Sequence, residues 1–73
     1  MNKTIKLYNV AENIRNIRLN NHLTQIEMAD ALGYSERTIR RLEANGTSDL
    51  NVINLIAATF NISAISILLA EDA

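Results

Sequence analysis

The 73-residue sequence has no cysteine and only three aromatic side chains, two tyrosines and one phenylalanine. Without cysteine the chain has neither a disulfide framework nor a thiolate metal site, which is consistent with a cytoplasmic protein. The first ten residues also lack the long apolar segment of a signal peptide. Hydrophobic residues make up 48% of the chain and are mostly aliphatic, which favours a compact helical bundle. We therefore expect residues 1–73 to form one small all-α domain, whose core buries only roughly 60% of the surface exposed on unfolding.

Signals of enzymatic chemistry are also missing. The sequence contains no glycine-rich phosphate loop, no cluster of metal ligands, and no serine or cysteine at a recognisable spacing from a histidine base. The single histidine, His22, is expected in a solvated turn. We therefore predict no enzymatic activity, no cofactor and no metal site, and we expect the protein to act by binding.

Residues 24–43, TQIEMADALGYSERTIRRLE, have the pattern of two short helices joined by a tight turn at Gly33. Thr24 is a suitable N-cap for the first helix, with Glu27 completing a capping box, and Ser35 is a suitable N-cap for the second. Glycine permits the backbone conformation that such a turn requires. The residues that must face inward if the two helices cross are Met28, Ala29, Leu32, Ile39 and Leu42.

The outer side of the second helix carries three arginines. Its members are Glu36, Arg37, Arg40, Arg41 and Ala44. Such a face on a short helix held at a fixed angle is typical of an element that reads DNA. The net charge of −1 argues mildly against nucleic acid, but residues 1–41 hold all seven cations and four acids, whereas residues 42–73 hold four acids. A basic front and an acidic end suit a DNA binder, although on charge alone an ordinary mixed surface is an equal alternative.

Helical periodicity predicts three further helices, over residues 10–20, 50–59 and 64–69. The Asn20-Asn21-His22 segment is expected to end the first, because asparagine tolerates the left-handed conformation at a helix C-terminus. Asp49 and Ser63 are suitable N-caps for the other two. The residues expected to face inward are Val10, Ala11, Ile14, Ile17, Leu50, Ile53, Ile56, Ala57 and Phe60, with Ile62 filling the core beside them.

The two ends of the chain and its uncharged segment leave alternatives open. Residues 1–8 fit an N-terminal arm, a short strand or a frayed terminus, and residues 70–73 form an acidic tail. Residues 50–70 carry no charge and are long enough to span a bilayer. Asn61 and Ser63 fall where a helix break and a new cap are expected, so two separate helices and no membrane contact are the preferred prediction.

The chain resembles the phage-repressor type of helix-turn-helix, the Cro/cI-like or XRE family of regulators, over nearly its whole length. No single match is specific, but their joint spacing without an obvious gap is. The matching positions are Ile14-Arg15, Arg18, Leu23-Thr24-Gln25, Met28-Ala29, Leu32-Gly33, Ser35, Ile39, Leu42-Glu43, Ile56-Ala57 and Phe60-Asn61-Ile62-Ser63. The resemblance implies a five-helix lambda-repressor-like fold, with the helix-turn-helix as helices 2 and 3.

The resemblance also implies roles for particular side chains. In similar proteins an arginine at the position of Arg18 forms a partly buried ion pair with a glutamate at the position of Glu43, which would lock the first helix to the third. The alternative is that both residues are independently solvated. Gln25 matches the residue that grips the DNA backbone in similar repressors. The full set of candidate phosphate-contacting residues is Thr24, Gln25, Thr38, Asn45, Thr47 and Ser48.

Glu36, Arg37 and Arg41 occupy positions where similar proteins contact base edges, and Arg40 lies next to them. Arginine bridges O6 and N7 of guanine, and glutamate accepts a hydrogen bond from the amino group of cytosine. A half-site containing G·C pairs is therefore predicted. In the alternative, Glu36 pairs with Arg40 one turn further on and reads no base.

One recognition helix reads too few base pairs for specificity in a genome, whereas a symmetric dimer places two such helices about 34 Å apart on successive major grooves. Ile65, Leu68 and Leu69 of the fifth helix exceed what one small core requires, so they are predicted to form a dimer interface. The alternative is that all three cover the core of a monomer.

The predicted function is that of a homodimeric regulator that binds a two-fold-symmetric site in double-stranded DNA. It is expected to be a repressor or autoregulatory switch of phage, plasmid or mobile-element type. An antitoxin or anti-regulator that mainly holds a protein partner is the second hypothesis. A membrane-anchored peptide is a remote third.

Overall fold

Five helices and one short β-pairing are present in the computed structural model, which describes residues 5–6 and 10–71 and the side chains of residues 10–69. The all-α, five-helix prediction is confirmed. The helices are α1 Val10–Asn20, α2 Gln25–Leu32, α3 Glu36–Asn45, α4 Leu50–Phe60 and α5 Ala64–Leu68. Strands β1, Ile5–Lys6, and β2, Ala70–Glu71, pair in antiparallel fashion.

The caps around the helical pair α2–α3 follow from local sequence. Thr24 and Glu27 form the predicted capping box: Oγ1 of Thr24 accepts from the Glu27 N–H at 3.1 Å, and Oε1 of Glu27 accepts from the Thr24 N–H at 2.8 Å. Gly33 ends α2 in the left-handed conformation, with φ of 75°. Oγ of Ser35 accepts from the backbone N–H of Thr38 at 3.2 Å and so caps α3.

Two of the other expected helix ends differ in detail. The left-handed residue after α1 is His22, with φ of 58°, and not one of the two asparagines that precede it. Ser63 occupies the N-cap position of α5 but makes no side-chain cap hydrogen bond.

The ends of α4 are as expected. Asn61 ends α4 with φ of 55°, and Oδ1 of Asp49 caps α4 by accepting from the Asn51 N–H at 2.9 Å. Asn9, with Glu12 three residues on, is also predicted from the sequence to start α1, but it lies outside the described residues.

The hydrophobic core draws on all five helices. Its buried members are Val10, Ile14, Met28, Ala29, Leu32, Ile39, Leu42, Ile53, Ile56, Ala57 and Ile67. Two residues expected in the core are not there: Leu50 is 59% exposed and Ile62 is 37% exposed. Leu50 is the first residue of α4, and Ile62 follows the left-handed residue Asn61 that ends this helix.

In α5 the core residue is Ile67, which is completely buried. Ala64 and Leu68 pack against the same core, and the i, i+3, i+4 spacing of these three residues defines the inward face of the helix. Ile65 therefore points outward and is 65% exposed.

The long uncharged segment is divided between two helices. α4 ends at Phe60, Asn61 reverses the chain, and α5 begins at Ala64. Within the described part of the chain, none of the helices has both the length and the apolar character needed to cross a bilayer.

Candidate nucleic-acid interface

The inner side of α3 packs into the core, and its outer side is exposed. Ile39 is completely buried and Leu42 nearly so, and both belong to the core that α1 and α2 also line. Arg37, Arg40 and Arg41 are all exposed on the same helix. Because burial fixes the rotation of α3, it also fixes the direction in which the three guanidinium groups extend.

Glu36 forms an ion pair with one of these arginines. Its Oε1 lies 3.7 Å from Nη2 of Arg40, one turn further along the helix, and the two side chains are 40% and 59% exposed. An exposed pair of this kind contributes only about 0.3–0.5 kcal/mol, so either side chain can leave it to contact a base. Among the described side chains, Arg37 and Arg41 form no ion pair.

A second, nearly buried ion pair joins α1 to α3. Nε of Arg18 donates to Oε2 of Glu43 at 2.6 Å, and Nη2 donates to Oε1 at 3.0 Å. Nη1 of Arg18 donates to the carbonyl oxygen of Leu23 at 3.1 Å. The side chains of Arg18 and Glu43 are 14% and 6% exposed. The hydrogen bonds that Arg18 donates to Glu43 raise the pKa of the guanidinium against the opposing effect of burial, so it stays charged.

Gln25 belongs to the same network. It is the first residue of α2, and its Nε2 donates to Oε1 of Glu43 at 3.2 Å. A side-chain amide nitrogen carries two hydrogens, so one remains for a further acceptor. Sequence reasoning assigned Gln25 and Glu43 separate roles and missed this contact, since 18 residues separate them and no local pattern links them.

Besides Gln25, three of the candidate phosphate-contacting residues already have structural hydrogen bonds. Oγ1 of Thr24 accepts from the Glu27 N–H, and Oγ1 of Thr47 accepts from the Asp49 N–H at 3.0 Å. The Thr38 hydroxyl lies 3.0 Å from Oγ of its own N-cap residue. An accepting hydroxyl keeps its proton, so Thr24 and Thr47 still have a donor. Asn45 and Ser48 are exposed.

The three residues predicted for a dimer interface have unequal exposure. Ile65 is largely exposed, Leu68 is half-buried against the core, and Leu69 is also only partly exposed. Ile65 is therefore the main exposed apolar side chain of α5. Ile62, which precedes α5, and Leu55 on α4 are also exposed.

The sequence was compared with protein families, with known proteins and with solved structures. A family model described as helix-turn-helix matches residues 14–66. The antitoxin PezA of Streptococcus pneumoniae serotype 4 (strain ATCC BAA-334 / TIGR4) is 37% identical over 65 residues. That alignment covers 86% of this chain but only 40% of the relative. A search of solved structures gave no significant match. Since the family model matches well over half of the sequence, the chain belongs to the XRE family of helix-turn-helix proteins.

Proposed function

We propose that this chain is a sequence-specific DNA-binding regulator that acts as a homodimer in the cytoplasm, with residues 1–73 as one DNA-binding domain. Repression or autoregulation in a phage, plasmid or mobile element is the role we assign to it. The observation that carries the proposal is the geometry of α3, whose buried Ile39 and Leu42 present Arg37, Arg40 and Arg41 on one open side. The helix-turn-helix family match supports it.

Base reading is assigned to the exposed side of α3. In a major groove, Arg37 and Arg41 can each donate two hydrogen bonds to O6 and N7 of a guanine. Glu36 and Arg40 are held by a weak mutual pair, and they reach base edges only when that pair opens. The expected half-site therefore contains G·C pairs at the positions that face Arg37 and Arg41.

Phosphate contacts are assigned to the start of α2 and to the turn between α3 and α4. Gln25 offers its remaining amide hydrogen there, and Thr24 and Thr47 offer their hydroxyl protons. Exposed Asn45 and Ser48 extend the second group. These contacts fix the orientation of the protein on the duplex without reading sequence. Thr38 is the weakest of the six candidates, because its hydroxyl already lies within hydrogen-bond distance of Oγ of Ser35, the N-cap residue of the same helix.

The test begins with selection of bound duplexes from a random pool by the purified wild-type protein. We expect a short site with two-fold symmetry and a binding constant that falls steeply with salt concentration. Arg37→Ala and Arg41→Ala should each lose about 1–3 kcal/mol of discrimination at one base pair of the half-site. Arg15→Ala, which removes an exposed arginine of α1, is the control and should leave base preference unchanged. If both α3 variants keep the wild-type preference, the base-reading assignment is wrong.

A second candidate function is that of an antitoxin, and the similarity to a protein named antitoxin PezA favours it. It requires a protein partner in addition to DNA. The discriminating experiment is co-expression of the chain with the product of each adjacent gene, followed by purification and sedimentation. A stable one-to-one complex supports the antitoxin role, and the absence of any complex favours a regulator that acts alone.

A further inference from the structure

Gln25, which the proposed function places at a DNA phosphate, is joined to a charged pair inside the protein. Oε1 of Glu43 accepts from Nε2 of Gln25 at 3.2 Å and from Nη2 of Arg18 at 3.0 Å. Oε2 of Glu43 accepts from Nε of Arg18 at 2.6 Å. Gln25 is partly exposed, whereas the carboxylate and guanidinium beneath it are nearly buried.

We propose that Glu43 is a positioning residue for Gln25, and that Arg18 cancels the repulsion that the Glu43 carboxylate would otherwise exert on a bound phosphate. The inference rests on the proposed function and deepens it. In this proposal the Arg18–Glu43 pair contributes to DNA binding as well as to the stability of the fold.

The positioning step follows from hydrogen-bond geometry. A free glutamine side chain rotates among several rotamers, and ordering it on binding costs entropy. Glu43 holds one of the two Nε2 hydrogens of Gln25, so the second hydrogen points in a fixed direction before any DNA arrives. A contact prepared in this way loses less entropy when the phosphate binds.

The electrostatic step follows from the short distances in this chain of contacts. A phosphate oxygen that accepts from Nε2 of Gln25 would lie within hydrogen-bonding distance of that nitrogen. The same nitrogen is 3.2 Å from Oε1 of Glu43, so the phosphate and the carboxylate would lie close together. Two negative charges at that separation are well inside the screening length of about 8 Å at physiological salt. Arg18 contacts both oxygens of the same carboxylate, so the pair presents almost no net charge to the phosphate.

The proposal predicts unequal effects of two substitutions that break the same ion pair. Arg18→Gln leaves the Glu43 carboxylate uncompensated and should weaken binding to the selected duplex by about tenfold or more. Glu43→Gln keeps a side-chain oxygen that can accept from Gln25 but leaves the Arg18 cation uncompensated, so it should weaken binding less than Arg18→Gln does and should make the dependence on salt steeper. The double variant Arg18→Gln/Glu43→Gln removes both charges and should recover most of the affinity that Arg18→Gln loses.

Binding is measured at several salt concentrations and at a temperature where circular dichroism shows that each variant is folded. Asp30→Asn serves as the control, because it changes net charge by the same amount as Glu43→Gln from an exposed position on α2 outside the network. It should alter affinity less than Arg18→Gln does. If Arg18→Gln and Glu43→Gln weaken binding equally and the double variant shows no recovery, the pair is a structural lock only and the proposal is overturned.

Gln25 allows a test that needs no variant, because it is the only glutamine in the sequence. When glutamine alone is labelled with nitrogen-15, its side-chain amide is therefore separated from the asparagine amides in an NMR spectrum of the wild-type protein without DNA. Relaxation of Nε2 should report motion as restricted as that of the α2 backbone, and a freely mobile amide would overturn the positioning step. Failure of the wild type to select any duplex contradicts the proposed function instead, so the two failures are distinguishable.

Discussion

Single residues decide how the turns of this chain are made, and its two glycines differ in what they require. Gly33 has φ of 75° and ψ of 26°, and a Cβ added there would have nothing within 4 Å. Gly46 has φ of 72° but ψ of −165°, a region that is almost restricted to glycine. A Cβ at Gly46 would lie 3.2 Å from the backbone nitrogen of Ala11 and 3.5 Å from Cβ of Val10. Both the backbone conformation and the close packing against α1 therefore favour glycine at this position.

Substitution of the two glycines should separate these effects. Gly46→Ala is expected to lower the free energy of unfolding by about 2–3 kcal/mol, because backbone strain and the close approach to α1 add. Gly33→Ala should lower it by about 1 kcal/mol, since only the left-handed conformation is disfavoured there. Urea denaturation of both variants measures the difference. Equal losses would mean that the contact of Gly46 with the start of α1 is unimportant.

The residue contacts also mark a limit of what the sequence could predict. The capping box of Thr24 and Glu27 was predictable because both partners lie within one helical turn. The Arg18–Glu43 pair was suggested only by family resemblance, since its members are 25 residues apart. The bond from Gln25 to Glu43 had no signal at all, because it depends on how three helices meet.

At the scale of whole elements, α5 depends most on its neighbours. It has five residues, and its N-cap residue makes no side-chain cap bond. Isolated helices of this length are unstable in water. Its tertiary contacts stabilise it: Ile67 is completely buried, and Nδ2 of Asn13 on α1 donates to the Ile67 carbonyl oxygen at 2.9 Å. Asn13 therefore satisfies a carbonyl at the C-terminal end of α5 that the helix cannot satisfy itself.

Removing this contact should loosen α5 selectively. Asn13→Ala is expected to cost about 1 kcal/mol, the usual net value of one hydrogen bond. Hydrogen exchange should show faster exchange for the amides of α5 and little change for those of α2. Asn16→Ala, on an exposed position of the same helix, is the matched control. Uniformly faster exchange across all helices would show that Asn13 supports the fold as a whole and not α5 in particular.

A helix could be predicted from the sequence to the extent that its signals lie within the helix itself. α2, α3 and α4 begin at residues whose side chains cap them locally, so their N-terminal ends could be located from the sequence. The face that α5 buries could not, because a single helical turn has too little periodicity to define an inward side. The apolar residues of α5 were expected to leave Ile65, Leu68 and Leu69 outside, yet Leu68 packs on the core. Burial of Ile67 rotates the helix into that position.

At the scale of the molecule, charged and uncharged surfaces are segregated. The arginines of α3 are exposed on the helical pair α2–α3, whereas α4 and α5 carry no ionisable side chain from Leu50 to Leu69. An uncharged surface can meet a second copy of itself across a two-fold axis without repulsion between like charges. The proposed regulator therefore has one surface suited to DNA and another suited to self-association.

The last prediction links these two surfaces through Ile65, the most exposed of the large hydrophobic side chains described. Ile65→Glu should weaken self-association, because a two-fold interface would bring two carboxylates into an apolar contact. Binding to the selected two-fold site should weaken with it, since one recognition helix reads too few base pairs alone. Leu19→Glu places the same charge on an exposed apolar position of α1, outside both surfaces, and should leave both properties unchanged. Sedimentation equilibrium and DNA titration of the two variants provide the measurement. Unchanged sedimentation of Ile65→Glu would remove α5 from the interface, and a monomer that still binds the full site would separate dimerisation from DNA recognition.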